Sequence, residues 1–178
     1  MNGYAIEVQT VSIGLLIARL VIGLAMAAHG TQKLFGWFGG YGLAKTGDLF
    51  GQLGFRPGRS FAALASLGEI TSGLLVALGF LGPIGPALMI SVMVVAMISV
   101  HLRNGFFATT NGVEVPVLYS TAALGLALIG YGEYSLDATL GIAHVWTPAL
   151  TLIVLVVGIL GGLANLGLRR RETTASRA

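Results

Sequence analysis

Five apolar runs limit what this chain can become. They cover residues 11–35, 61–81, 84–102, 115–131 and 148–168. A hydrocarbon core of about 30 Å needs about 20 apolar residues to cross as a helix, and each run reaches or approaches that length. Lipid offers no partner to a free backbone N–H or C=O, so a spanning segment satisfies its own, and helices do this best. Apolar residues make up 55% of the chain and charged residues 10%, against about 25% charge in soluble domains. The expected fold is an all-α polytopic transmembrane bundle forming one domain, residues 1–171. It has a four-span core, a fifth C-terminal span and a disordered polar tail at residues 172–178.

Proline and glycine mark the boundaries. Pro83, Pro86, Pro116 and Pro148 fall in the first turns of the third, fourth and fifth runs, where a missing N–H costs little. Gly82-Pro83-Ile84-Gly85 predicts a tight hairpin between the second and third spans. The segment Gly36–Arg59 carries Gly39, Gly40, Gly42 and Gly47 and reads as a poor continuous helix. Its aromatics Trp37, Phe38, Tyr41 and Phe50 place it at a membrane interface. The start of the chain lacks a basic leader, so the first run is expected to be a span and not a cleaved signal.

Nine of the ten Lys and Arg residues fall on one side of a five-span chain: Lys33, Lys45, Arg56, Arg59, Arg103, Arg169, Arg170, Arg171 and Arg177. Lys33 lies near the end of the first run, and the tenth, Arg19, lies deep within it. The positive-inside rule then predicts the N-terminus outside and the C-terminus inside a bacterial inner membrane. The charges sit beside apolar runs, so a lipid bilayer and not nucleic acid is the expected partner of this chain of net charge +3. The absence of cysteine excludes disulfides, thiol redox chemistry and thiolate metal ligation.

Within or beside the runs lie Arg19, His29, Lys33, Glu69, His101, Arg103 and Glu114. Charge in hydrocarbon costs a few kcal/mol on insertion scales and is retained where it has a partner or a task. On an ideal helix Arg19, Gly23, Met26, Gly30 and Lys33 share a stripe, and its two glycines allow a second helix to come close. Ser66, Glu69, Ser72 and Gly73 share a face of the second span. At about 1.5 Å per residue, His29 lies roughly 10 Å and Glu69 roughly 14 Å below the inner boundary, with Lys33 and His101 nearer to it. Arg19 is deeper, and its long side chain is expected to reach Glu69 from below. Plainer readings stand beside these. Arg19 and Glu69 make a register-fixing ion pair, His29 bonds a neighbouring carbonyl, and Lys33 and Arg103 anchor at the interface. Met89, Met93 and Met97 pack between helices, and His144 is an interface residue. No spacing suggests a metal site.

The residues Arg19 and His29-Gly-Thr-Gln-Lys-Leu-Phe-Gly-Trp-Phe-Gly-Gly40 resemble the DoxX family of small bacterial membrane proteins. The resemblance runs on through Leu53-Gly54-Phe55, Gly68-Glu69, His101-Leu-Arg-Asn-Gly-Phe106, Asn111-Gly-Val-Glu-Val-Pro116 and Tyr134-Ser-Leu-Asp137. It spans roughly Gly14 to Asp137 and leaves the fifth span outside. It implies an inner-membrane helical protein, usually of four spans, linked to respiratory or sulfur redox work. Some members are subunits of thiosulfate:quinone oxidoreductase, and one relative looks like a scaffold for oxidative-stress enzymes.

The leading expectation is a redox-associated subunit of a membrane oxidoreductase system that binds quinone or a comparable small amphipathic molecule. Glu69, His29 and His101 are the candidate catalytic groups: the two histidines would hydrogen-bond the carbonyls and Glu69 would relay protons. Arg19, Lys33, Phe35, Trp37, Asn104 and Glu114 are the candidate ligand-binding residues, the aromatics walling the slot. No covalent cofactor is expected, and no flavin or iron–sulfur motif is present, so electrons would come from a partner protein of redox type. Homo-oligomerisation is compatible with this. The alternatives are a non-catalytic scaffold that recruits soluble redox enzymes and a small proton-coupled transporter.

Overall fold

The computed structural model describes residues 3–170. Arg171, Arg177 and the expected tail 172–178 lie outside the described residues. The described chain is helical, with no strand among its residues. Seven α-helices follow in order: α1 (Gly3–Phe35), α2 (Gly42–Gln52), α3 (Gly58–Leu78), α4 (Ile84–Ala96), α5 (Glu114–Ile129), α6 (Leu136–Thr139) and α7 (Pro148–Gly167). A π turn, Met97–His101, and a 3-10 turn, Leu102–Asn104, prolong α4.

Four of these helical stretches are long and apolar enough to cross a membrane: Ile6–Phe35, Gly58–Leu78, Ile84–Asn104 and Pro148–Gly167. The protein is thus a polytopic helical membrane bundle. α5 is shorter, at 16 residues, or about 24 Å. It nevertheless carries the chain from the end near His101 to the end near Arg19. The chain therefore runs lengthwise five times, and the end of α7 lies beside the loop that enters α3. Arg170 N–H donates to Gly54 C=O (2.8 Å) and Arg169 Nε to Leu53 C=O (2.9 Å). The described basic residues other than Arg19 collect at this one end, as the sequence predicts.

The α1–α3 pair sets the register. α3 buries Ala62, Ser66, Glu69, Ser72, Gly73, Val76 and Ala77, a continuous helical face. A Cβ on Gly23 would lie 2.5 Å from the Gly73 carbonyl, and one on Gly30 2.5 Å from that of Ser66. No larger side chain fits there without parting the helices. The two glycines of the α1 stripe thus admit α3, and small residues hold the helices together where lipid supplies no hydrophobic drive. α7 rests on α4 in the same manner, its Gly158 against Ala87. Between them lies a core of Met26, Val76, Ala87, Met89, Ile90, Met93, Ala123, Leu126, Tyr131 and Leu155. Met89 and Met93 thus pack between helices.

Two expected boundaries shift. The second span ends as a helix at Leu78, not at residue 81, because Gly79, Leu81 and Gly82 all take positive φ. The segment after Gly36, expected to be a poor helix, contains the 11-residue α2. Gly47 and Gly58 act through packing: a Cβ on Gly58 would sit 2.1 Å from the Gly47 carbonyl. Close contact with α3 outweighs the roughly 1 kcal/mol that each glycine costs a helix.

Candidate functional site

Glu69 lies eleven residues into α3, about 16 Å along the helix, and is 1% exposed. Its Oε1 pairs with Lys33 Nζ from the last turn of α1. Lys33 remains about one-third exposed, so its stem lies along the bundle and its amine reaches inward. The other carboxylate oxygen, Oε2, is buried and has no hydrogen-bond partner. The pair has no net charge, which makes it tolerable at this depth.

The pair borders a cavity of about 950 Å³ between α2, α3, α4 with the turn that prolongs it, and the end of α7. Leu64, Leu67, Leu88, Val92 and Val95 make its walls largely apolar, and Tyr41, Phe50, Phe55 and Phe61 add aromatic rings. Phe50 and Phe61 flank Phe55, at centroid distances of 5.6 and 5.2 Å. Lys33, Glu69, Ser99 and His101 supply polar groups from three elements. A cavity of this size, apolar with a few converging polar groups, suits a small amphipathic ligand.

The end of α4 is built around the loop that follows it. His101 Nδ1 hydrogen-bonds the Asn111 carbonyl (2.8 Å). Asn104 Nδ2 donates to the same carbonyl (3.2 Å) and to Val100 C=O (3.0 Å). Glu114 Oε2 accepts the Ala108 N–H (2.7 Å). Asn104 and Glu114 therefore shape the loop and do not line the cavity, while His101 does both.

Arg19 does not reach Glu69. Gly23 meets Gly73 and Ala77, so Arg19, one turn earlier on α1, meets the far end of α3 at Gly79. There it is 1% exposed. Its Nη2 donates to the Tyr134 carbonyl (2.6 Å) and its guanidinium lies 5.7 Å from the Tyr131 ring centroid. The antiparallel register gives Glu69 to Lys33, fourteen residues further along the stripe. His29 packs edge-on against Tyr119 of α5 at 5.8 Å and does not line the cavity, so it shares no pocket with His101. Phe35 and Trp37 stack on each other at 5.0 Å and are more than half exposed. Gly36, at φ +77°, turns the chain away from the bundle, and α2 brings Tyr41 and Phe50 to the wall in their place.

Ser99 has no place in the sequence reading, since a lone serine in an apolar run carries no signal. The π turn that positions it has no sequence mark either. Among the described residues, no group of three or more His, Asp or Glu side chains could hold a metal ion.

A DoxX family model matches residues 14–102, half of the chain. The chain belongs to the DoxX family. The matched stretch takes in α1 to α3 and α4 as far as Leu102, and so contains both halves of the Lys33–Glu69 pair together with His101. The similarities at Asn111–Pro116 and Tyr134–Asp137 fall beyond it. Neither the comparison with curated proteins nor that with solved structures found a match.

Proposed function

We propose that this DoxX-family protein is a redox-associated membrane subunit that binds quinone or a similar small amphipathic molecule in the cavity beside Lys33 and Glu69. One observation carries the reading: Glu69, its buried carboxylate paired on one oxygen and unpartnered on the other, lines an apolar cavity walled by aromatic rings. A quinone-type head needs polar groups near its oxygens and an apolar slot for ring and tail. Glu69 holds or relays a proton, Lys33 balances its charge, and His101 and Ser99 contact the head. Electrons come from a partner protein of redox type. The basic end faces the cytoplasm of a bacterial cell and the N-terminus the outside.

Purification with native lipid, followed by mass spectrometry of co-eluting small molecules and proteins, tests this. Bound quinone supports it. Stoichiometric soluble redox enzymes without any small molecule would favour the scaffold reading. Reporter fusions after Gln9 and Arg171 test the orientation, and an external signal at Arg171 would reverse it.

A further inference from the structure

We propose that the π turn Met97–His101 is the recognition element of this cavity, and that it selects ligands whose head is an aromatic hydroxyl on an apolar tail. The proposal rests on the reading that the cavity takes an amphipathic molecule, and it specifies the head group.

The turn departs from the α-helix at one place. Leu102 N–H bonds back five residues to the Met97 carbonyl, so one extra residue is fitted into the turn, a device frequent at functional sites. The consequence is visible at Ser99. A buried serine within a regular helix can return its hydroxyl to a carbonyl three or four residues back, as Ser72 does to Glu69 (3.2 Å). Ser66 does so to Ala62 (2.7 Å) and Ser120 to Pro116 (2.7 Å). Ser99 is buried, and its Oγ has no partner. Ser99 lines the cavity, and its buried hydroxyl is unused.

His101 ends the same turn, and its hydrogen bond fixes its chemistry. A backbone carbonyl only accepts, so Nδ1, 2.8 Å from the Asn111 carbonyl, carries the proton. In the neutral ring Nε2 is then a bare acceptor. Among the described residues nothing donates to it, and His101 lines the cavity. Glu69 Oε2, on α3, is a second unused acceptor, and Glu69 lines the same cavity.

Beside the Lys33 and Lys45 ammoniums and the Thr71 and Ser91 hydroxyls, the site offers two unengaged acceptors, His101 Nε2 and Glu69 Oε2, and a buried donor, the Ser99 hydroxyl. An oxidised quinone head has carbonyl oxygens alone, which accept from donors such as Ser99 and leave both acceptors bare, so of the amphiphiles proposed above the reduced, hydroxyl-bearing form is the one selected. A carboxylate brings negative charge toward Glu69, whose own charge Lys33 already balances. An aliphatic alcohol fits the hydrogen bonds and leaves the Tyr41, Phe50, Phe55 and Phe61 wall without a ring to stack on. A phenol or hydroquinone answers all three: its O–H donates to an acceptor, its oxygen accepts from Ser99, and its ring meets the aromatic wall.

The test uses the full chain in lipid nanodiscs and two probes of one shape, 4-nonylphenol and its methyl ether. The wild type should bind the phenol about tenfold more tightly or better, the worth of a buried hydrogen bond to a strong acceptor. Deleting Ile98 returns the turn to α-helical spacing and should bring the two probes to parity. His101→Phe and Ser99→Ala should each narrow the gap, and they carry the test should the deletion variant fail to fold. Equal binding of both probes by the wild type overturns the inference and leaves the amphiphile reading standing. Binding of neither probe overturns both. A preference that survives the deletion and both substitutions removes the π turn from recognition.

Discussion

The two ends of this bundle bury similar side chains and use them differently. At the Lys33 end an ion pair leaves a carboxylate oxygen, a serine hydroxyl and an imidazole nitrogen unengaged around a cavity. At the Arg19 end the carboxylate is engaged in full. Asp137, 3% exposed, accepts Leu81 N–H on Oδ1 (2.8 Å) and Gly82 N–H on Oδ2 (2.7 Å). It thereby closes the α3–α4 hairpin, and its own N–H donates to the Gly79 carbonyl (3.0 Å). Arg19 lies beside this knot without a carboxylate in ion-pair range among the described residues, held by the Tyr134 carbonyl and the Tyr131 ring, while its Nε and Nη1, the Tyr131 hydroxyl and Trp146 Nε1 are buried without hydrogen-bond partners. A second cavity of about 830 Å³ opens there, lined by Ser12, Tyr131, Asp137 and Trp146 and rimmed by Glu7 and Glu133. A carboxylate that satisfies backbone amides holds a fold together. One that keeps an oxygen free is available to a ligand.

The contrast breaks most completely if the register between the ends is lost. Gly23→Leu places side-chain atoms where the Gly73 carbonyl already stands, so folded protein should fall to a small fraction of wild type, read as monodisperse yield in detergent. Asp137→Ala strands two backbone N–H groups and should cost about 2–4 kcal/mol. It should lower the thermal midpoint while probe affinity at the Lys33 end stays within about twofold of wild type. A parallel loss of affinity would show that the ends are coupled.

Glu69→Gln should do the reverse. The side chain keeps its volume, and Lys33, one-third exposed, turns toward water. The midpoint should move little while ligand-dependent or redox-coupled activity is lost. Glu69→Leu with normal expression and full activity would end the proposed role of the carboxylate. The smallest effect belongs to Trp37→Ala. The ring is 57% exposed and outside the cavity, so probe affinity should stay within about twofold; a tenfold loss would return it to the site.

Much of this was legible in residue order. The apolar runs and the one-sided Lys and Arg distribution announce the helices and the common end of the basic residues, because membrane length and the cost of buried charge act on sequence directly. Glu69 and Lys33 stand out for the same reason. The glycine stripe Gly23–Gly30 marks a close helix contact, since nothing but glycine tolerates a backbone within 2.5 Å of its Cβ position. Which cation answers Glu69 is a different matter. Arg19 and Lys33 share one stripe, and only the offset between α1 and α3 gives Glu69 to Lys33 and sends Arg19 to Gly79 and Tyr134. The same holds for His29, which faces Tyr119 of α5, and for the aromatic wall, which the left-handed residues Gly36, Phe38, Gly39 and Gly42 transfer from Phe35 and Trp37 to Tyr41 and Phe50. Periodicity places a residue on a face. It carries no information on the rotation and sliding of one helix against another, or on an added residue in a turn such as Met97–His101. Those are decided where side chains of different helices compete for the same space.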